Sequence, residues 1–250
     1  MSFCHCLDTD TDTDTERTAD GSLIELYRRM PATGEPEQID ALLQPRSTVL
    51  ELGAGTGRIA DPLGLLGHHV TAVDDSDHML AEVRHARTVR ARIEDLRLTE
   101  RFDAVLLPTN LIHYRGIDLR RAVLATVAHH LKPTGKAIIQ WKPPPYWAAR
   151  PSDWTESKAI GDVTARVTIH HNRDRHVDGE YALIDGESEL GQCFHLEVLT
   201  IEELRREFDQ AGLRLATTDP DSTEWLELMR AEMPLLVDHR VDLASGTCQN

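Results

Sequence analysis

The stretch Thr48-Val-Leu-Glu-Leu-Gly-Ala-Gly-Thr-Gly-Arg58, followed by His69-Val-Thr-Ala-Val-Asp74, decides how this chain folds. The apolar run over 48–52 reads as a buried strand. Gly53, Gly55 and Gly57 then let the backbone turn tightly and approach a ligand without Cβ clashes. A second buried strand covers 69–73 and ends on Asp74. About twenty residues separate the glycines from this carboxylate, the interval over which a β-α-β unit returns an acidic side chain to a ribose. Both halves of a nucleoside site therefore fall within one supersecondary unit.

Outward from this unit, strands and helices alternate, as a doubly wound parallel sheet requires. Upstream, Leu23, Ile24, Leu26, Tyr27 and Met30 share one face of a helix that stops before Pro31, and a second short helix spans Pro36 to Leu43. Downstream, Pro62 and Gly64 keep the helix after Thr56 short or kinked. A helix is predicted from Ser76 to Arg87, with Ser76 or Asp77 as its N-cap. Thr88 to Ile93 is a weak third strand and Phe102 to Leu107 a strong fourth. Arg120 to Leu131 is a helix, and Gly135 to Trp141 a fifth strand behind a Lys-Pro-Thr-Gly turn. Near the end come a helix from Ile201 to Ala211 and strands from Leu213 to Thr217 and from Thr223 to Met229.

Five segments result. Residues 1–20 carry the repeat Asp8-Thr-Asp-Thr-Asp-Thr-Asp-Thr15 and are expected to be a disordered acidic tail, with little apolar surface to offset ordering. Residues 21–141 form the nucleoside-binding core, 142–200 an insertion, 201–230 the closing helix and hairpin, and 231–250 a C-terminal tail. In the insertion, Pro143, Pro144 and Pro145 exclude a central strand. Alternating runs at Val163–Ile169, Glu180–Ile184 and Cys193–Val198, with Asp178-Gly and Asp185-Gly as turns, predict an antiparallel β layer over the pocket mouth. The aromatics Trp141, Tyr146, Trp147 and Trp154 serve either lid packing or a planar or cationic acceptor.

Composition narrows the function classes. The chain has 250 residues, 40% hydrophobic and 28% charged, enough for a full core. A formal net charge of -15 argues against a nucleic-acid partner, which would call for clustered Lys and Arg. No apolar stretch approaches the roughly 20 residues of a membrane span, and the N-terminus lacks a signal-peptide pattern, so a cytoplasmic location is expected. The cysteines Cys4, Cys6, Cys193 and Cys248 form no pattern of a secreted disulfide domain and are expected to be reduced. Cys4-His-Cys6 lacks a second ligand pair, and adjacent histidines such as His170-His171 face opposite sides of a strand, so no metal site is expected.

The glycine pattern is G-x-G-x-G behind an acidic residue, Glu51, rather than the G-x-G-x-x-G of dinucleotide binders. It resembles motif I of the class I S-adenosylmethionine-dependent methyltransferases, and the likeness extends over about residues 20 to 230. The resemblance implies an α/β fold: a Rossmann-like, doubly wound, mostly parallel seven-stranded sheet with an antiparallel last strand, plus an antiparallel β insertion after strand five. It implies S-adenosyl-L-methionine as cofactor, with Glu51, Gly53, Ala54, Gly55 and Gly57 lining its methionine portion and Asp74 holding the ribose. Asp75 would lie near adenine, Ile93 would press on the ring, and Glu94 would accept from its amino group, although Arg92 replaces the usual aspartate of the third motif. Pro108, Asn110 and His113, after strand four, would wall the pocket near the reacting methyl, and Tyr27 would close over the cofactor tail. Insertions of this kind form a lid or a homodimer surface.

Methyl transfer from a sulfonium needs alignment and desolvation more than a base. For a hydroxyl acceptor, His113, His170 or His195 would remove the proton; a neutral amine needs none. The leading expectation is methylation of N or O on a small molecule of secondary metabolism. The alternatives keep the cofactor site but perform non-methylating chemistry, or serve as a regulatory binding module.

Overall fold

The computed structural model describes residues 17, 18 and 22–231. The expected acidic tail, Cys4-His-Cys6 and the C-terminal tail fall almost wholly outside the described residues. In chain order the first elements are α1 (Ile24–Arg29), α2 (Glu35–Asp40), β1 (Thr48–Leu52), α3 (Ala60–Leu65), β2 (His69–Asp74), α4 (Asp77–Leu80), β3 (Arg87–Arg90), β4 (Phe102–Leu107), α5 (Ile117–His130) and β5 (Leu131–Gln140). Then follow α6 (Pro144–Ala148), β6 (Trp154–Ile160), β7 (Val163–Arg173), β8 (His176–Asp185), β9 (Ser188–Glu197), α7 (Ile201–Gln210), β10 (Leu213–Leu215) and β11 (Trp225–Arg230).

Seven strands make one sheet in the order β10-β11-β5-β4-β1-β2-β3. The pairings among β3, β2, β1, β4 and β5 are parallel, whereas β11 runs antiparallel to both β5 and β10. This is the predicted doubly wound sheet with its reversed closing strand. The central strands read as apolar runs because both faces are covered. On one face Leu50, Leu52, Val105 and Leu107 pack with Leu124 and Val127 of α5 and Leu204 and Phe208 of α7. On the other, Val49, Ala72, Ala104 and Leu106 pack with Ile39 of α2 and Leu63 of α3. Helix α7 starts at a capping box, in which the Thr200 hydroxyl accepts the Glu203 N–H and Glu203 accepts the Thr200 N–H.

Several local expectations are corrected. The helix predicted from Ser76 to Arg87 ends at Leu80, although the Ser76 cap holds, its hydroxyl accepting the Met79 N–H. The Asp61 carboxylate accepts the Arg84 and His85 N–H groups and draws the chain away from helical geometry before β3. Ile93 therefore falls in a 3-10 turn, Ile93–Asp95, rather than in the third strand. The Lys-Pro-Thr-Gly segment is an irregularity inside β5: Phe102 pairs with Leu131 but Ala104 with Lys136.

The insertion has four antiparallel strands, β6-β7-β8-β9, where three were expected. Strand β6 is mostly exposed and polar, so it carries no alternating apolar signal. Asp178-Gly179 is no turn but lies inside β8, where the Phe194 ring covers the glycine. The chain turns instead at Asp174 and Arg175, both with positive φ (52° and 69°). Cys193, on β9, is disulfide-bonded, contrary to the expectation of a reduced thiol. Among the described residues, no helix is long and apolar enough to cross a membrane.

The β layer packs on α1, through Ala165 and Leu183 against Leu23 and Leu26. It does not itself roof the pocket. Gln192 of β9 fixes the start of that helix, accepting the Leu23 N–H at 3.2 Å and donating to the Ser22 hydroxyl at 3.1 Å.

Candidate active site

At the carboxyl ends of β1, β2 and β4 the structure holds a cavity of about 270 Å³. Open α/β sheets place their ligands at this edge. Its floor is the glycine loop after β1. The Gly53 and Ala54 N–H groups donate to the Val73 carbonyl at 2.9 and 2.8 Å, and the Gly55 N–H donates to Asp74 Oδ2 at 2.9 Å. Asp74 Oδ1 also accepts the Ser76 N–H at 3.0 Å. The loop and the acidic strand end thus hold each other. An added Cβ on Gly53 would sit 2.8 Å from Leu111 Cδ1 and 3.6 Å from Ile93 Cδ1, so two apolar side chains close over the loop.

Of the expected site residues, Tyr27, Glu51, Gly53, Ala54, Gly55, Asp74, Asp75, Ile93 and Glu94 all line this cavity. Gly57, Pro108 and Asn110 stand behind its wall. Gly57 turns the loop, donating its N–H to the Ala54 carbonyl at 3.0 Å. Asn110 has left-handed backbone (φ 57°), and its Oδ1 is buried with no hydrogen-bond partner. One oxygen of Glu94 is engaged by the Arg92 guanidinium.

Glu51 is the electrostatic centre. It is 2% exposed, and its Oε2 has no hydrogen-bond partner. Burial pushes its carboxyl up to about 8; Arg58 opposes this, while Asp61 and Asp74 add to it. Arg58 is itself paired with Glu35 at 2.6 Å. A buried oxygen without a donor, beside open space, suits a cationic ligand group.

The three histidines do not converge. His113 is fully buried and both ring nitrogens are engaged: Nδ1 with the Glu197 carbonyl at 2.9 Å, and Nε2 with the Lys142 N–H at 2.9 Å. This pattern needs the neutral tautomer with the proton on Nδ1. Burial, first of all, lowers its pKa to about 4, with the Arg120 and Lys142 charges contributing. No lone pair is left for an acceptor, so the expected base is a structural group. His195, itself exposed, meets Asp178 at 2.7 Å, and His170 stands 4.0 Å from Glu180. Neither lines the cavity.

The sequence placed the 108–114 loop at the pocket but singled out its polar residues, whereas Leu111, Ile112 and Tyr114 line the wall, and it missed Leu119 and Val123. Leu119 and Val123 are four residues apart on α5, a spacing that marks one helix face, but the predicted helix began one residue after Leu119. Of the insertion aromatics, Trp141 is fully buried and donates from Nε1 to the Thr223 carbonyl at 3.2 Å. Arg150 lies 3.7 Å over the Tyr146 ring, and Trp154 flanks the same guanidinium at 4.7 Å. They pack the lid.

Residues 49–135 match a family described as a methyltransferase domain. The match begins in β1 and spans the glycine loop, Asp74 and the wall after β4. By this match residues 49–135 are similar to a methyltransferase domain. An uncharacterized methyltransferase of Mycobacterium tuberculosis is 34% identical over 126 residues, covering 48% of this chain and 51% of that one. Cypemycin N-terminal methyltransferase of Streptomyces sp is 33% identical over 137 residues, covering 52% of each. The chain thus spans about half the length of the curated relatives it matches. Among solved structures, the CcbJ methyltransferase of Streptomyces caelestis has a TM-score of 0.70 at 20% identity, over 84% of this chain and 96% of that one. At that identity the likeness concerns the methyltransferase fold.

Proposed function

We propose that this methyltransferase transfers a methyl group from S-adenosylmethionine to the nitrogen of a small molecule or peptide end in secondary metabolism. Glu51 carries the reading: a partnerless carboxylate oxygen lies in the cavity wall beside the glycine loop, where a cationic amino acid tail would meet it. Bound there, S-adenosylmethionine supplies a methyl on positively charged sulfur, already activated for displacement. The chain's own groups bind and orient. Asp74 stands at the end of β2 to take the ribose hydroxyls, Ile93 and Leu111 enclose adenine, and Tyr27 covers the tail from α1. Thr109, on the same wall, faces the acceptor with Tyr114.

Nitrogen is favoured over oxygen because no histidine lines the cavity among the described residues, and His113 has no free lone pair. A neutral amine brings its own lone pair, whereas a hydroxyl needs a base. The matched relative that methylates the cypemycin N-terminus supports an amine acceptor. The test is incubation with S-adenosylmethionine and a panel of amino sugars, peptide amines and matched alcohols. Methylated amine formed in step with S-adenosylhomocysteine is the expected result; methylated alcohols alone would overturn the choice of nitrogen.

A further inference from the structure

We propose that Arg120 is a positioning residue that ties the insertion sheet to the nucleoside cavity, so that the seating of β9 sets the affinity of the cavity for its cofactor. This rests on the cofactor reading above.

Arg120 lies in α5, is 6% exposed, and reaches three acceptors on two parts of the chain. Its Nε donates to the Ile112 carbonyl at 3.0 Å and one terminal nitrogen to the Tyr114 carbonyl at 3.2 Å. The same terminal nitrogen meets Glu197 Oε2, at the end of β9, at 2.8 Å. Ile112 and Tyr114 flank His113, whose ring bonds the Glu197 carbonyl, and Tyr114 forms a β-bridge with Leu196. The long-range fastenings of the 111–114 turn thus lead to α5, to residues 196–197 and, through the His113 ring, to the Lys142 N–H.

The turn bears directly on the cofactor seat, because Leu111 is the side chain resting on Gly53. Ile112 and Tyr114 line the cavity, and so does Arg120 itself. The turn is a single 3-10 turn, in which the His113 N–H donates to the Asn110 carbonyl at 2.9 Å and the Tyr114 N–H to the Leu111 carbonyl at 3.1 Å. Thr109 and Asn110 enter it with positive φ (55° and 57°), a backbone that persists only when its surroundings enforce it. On its other side Arg120 lines a second cavity, of about 350 Å³, between α5, α7 and the end of β9. The guanidinium is thus a partition with space on both sides. A planar fork fixes the turn and the sheet relative to each other as a flexible ammonium does not. Loss of Glu197 would leave the buried charge half-satisfied and free to swing.

The experiment uses the full chain with E197Q and R120K. Amide hydrogen exchange is followed at His113 and Tyr114, and S-adenosylhomocysteine binding is measured by calorimetry without acceptor. E197Q should speed exchange of those two amides by about tenfold or more while the amides of residues 49–52 in β1 are unchanged. It should weaken S-adenosylhomocysteine by about fivefold or more, although Glu197 does not line the cofactor cavity. R120K, retaining charge without the fork, should show both changes; it also serves if E197Q does not fold. Faster exchange with unchanged affinity, or exchange accelerated evenly through the sheet, would overturn the proposal. Wild-type protein that binds no S-adenosylhomocysteine would instead overturn the cofactor reading, and the exchange data would still decide whether Glu197 and Arg120 hold the turn.

Discussion

Asp74 accepts the Gly55 N–H at 2.9 Å, so the carboxylate that ends β2 closes the glycine loop that follows β1. The same side chain accepts the Ser76 N–H, and it lines the cavity. One residue thus shapes the floor of the site and offers charge to the ligand.

Substituting Asp74 by Ala removes both functions at once. The affinity for S-adenosylhomocysteine should fall by about 1 to 3 kcal/mol through lost charge-assisted hydrogen bonds. Titration calorimetry checks this, and an unchanged affinity would remove Asp74 from the site.

G55A separates folding from binding. An added Cβ on Gly55 meets no protein atom within 4 Å, but φ is +53°, so folding should lose only about 1 to 2 kcal/mol. The methyl would occupy ligand space instead, weakening S-adenosylhomocysteine by a further 1 to 3 kcal/mol or so, as overpacking does. Urea unfolding and calorimetry on the same sample distinguish the two effects.

Glu51 makes cofactor binding release protons. With its pKa raised to about 8 it is protonated at neutral pH in the ligand-free protein, and a bound ammonium favours the ionised form. Affinity should therefore rise from about pH 5 to pH 8, by at most about tenfold per unit, and level off above. The sign for folding is opposite: a raised acid pKa contributes stability below about 4.5 that is lost as pH rises through 8. Calorimetry in buffers of different ionisation enthalpy reads the released proton, which E51Q should abolish.

His113 should reveal itself in acid. Its lowered pKa means that the unfolded chain binds the proton first, so its contribution is complete above about pH 6.5 and falls as pH drops toward 4. H113F leaves the Glu197 carbonyl and the Lys142 N–H unpaired and should be less stable at pH 7. The gap to wild type should narrow by about 2 kcal/mol between pH 7 and pH 5. A gap constant over this range in denaturant unfolding would mean that the ring titrates in the folded protein as it does in the unfolded chain.

H170A and H195A address residues that sequence alone made candidates for a base. Both lie on the insertion sheet outside the cavity wall. Each should leave the affinity for S-adenosylhomocysteine within about 0.5 kcal/mol of wild type and turnover similarly unaffected. A large drop in turnover with unchanged affinity would place that histidine beside the acceptor.

The sequence by itself determined the sheet and the cofactor end of the site. Strands β1, β2 and β4 are apolar runs bounded by turn residues, and the Gly55–Asp74 bond spans only 19 positions, within one β-α-β unit. Such features are local, so residue spacing contains them. Tertiary structure alone decided the rest. Whether His113 acts as a base depends on a carbonyl 84 positions away, and the placing of the 111–114 turn depends on Arg120 meeting Glu197 across 77 positions. Helix α4 stops short because a carboxylate from α3 takes its backbone donors. In each case the outcome turns on which partner satisfies a polar group removed from water, and only the folded chain supplies that partner.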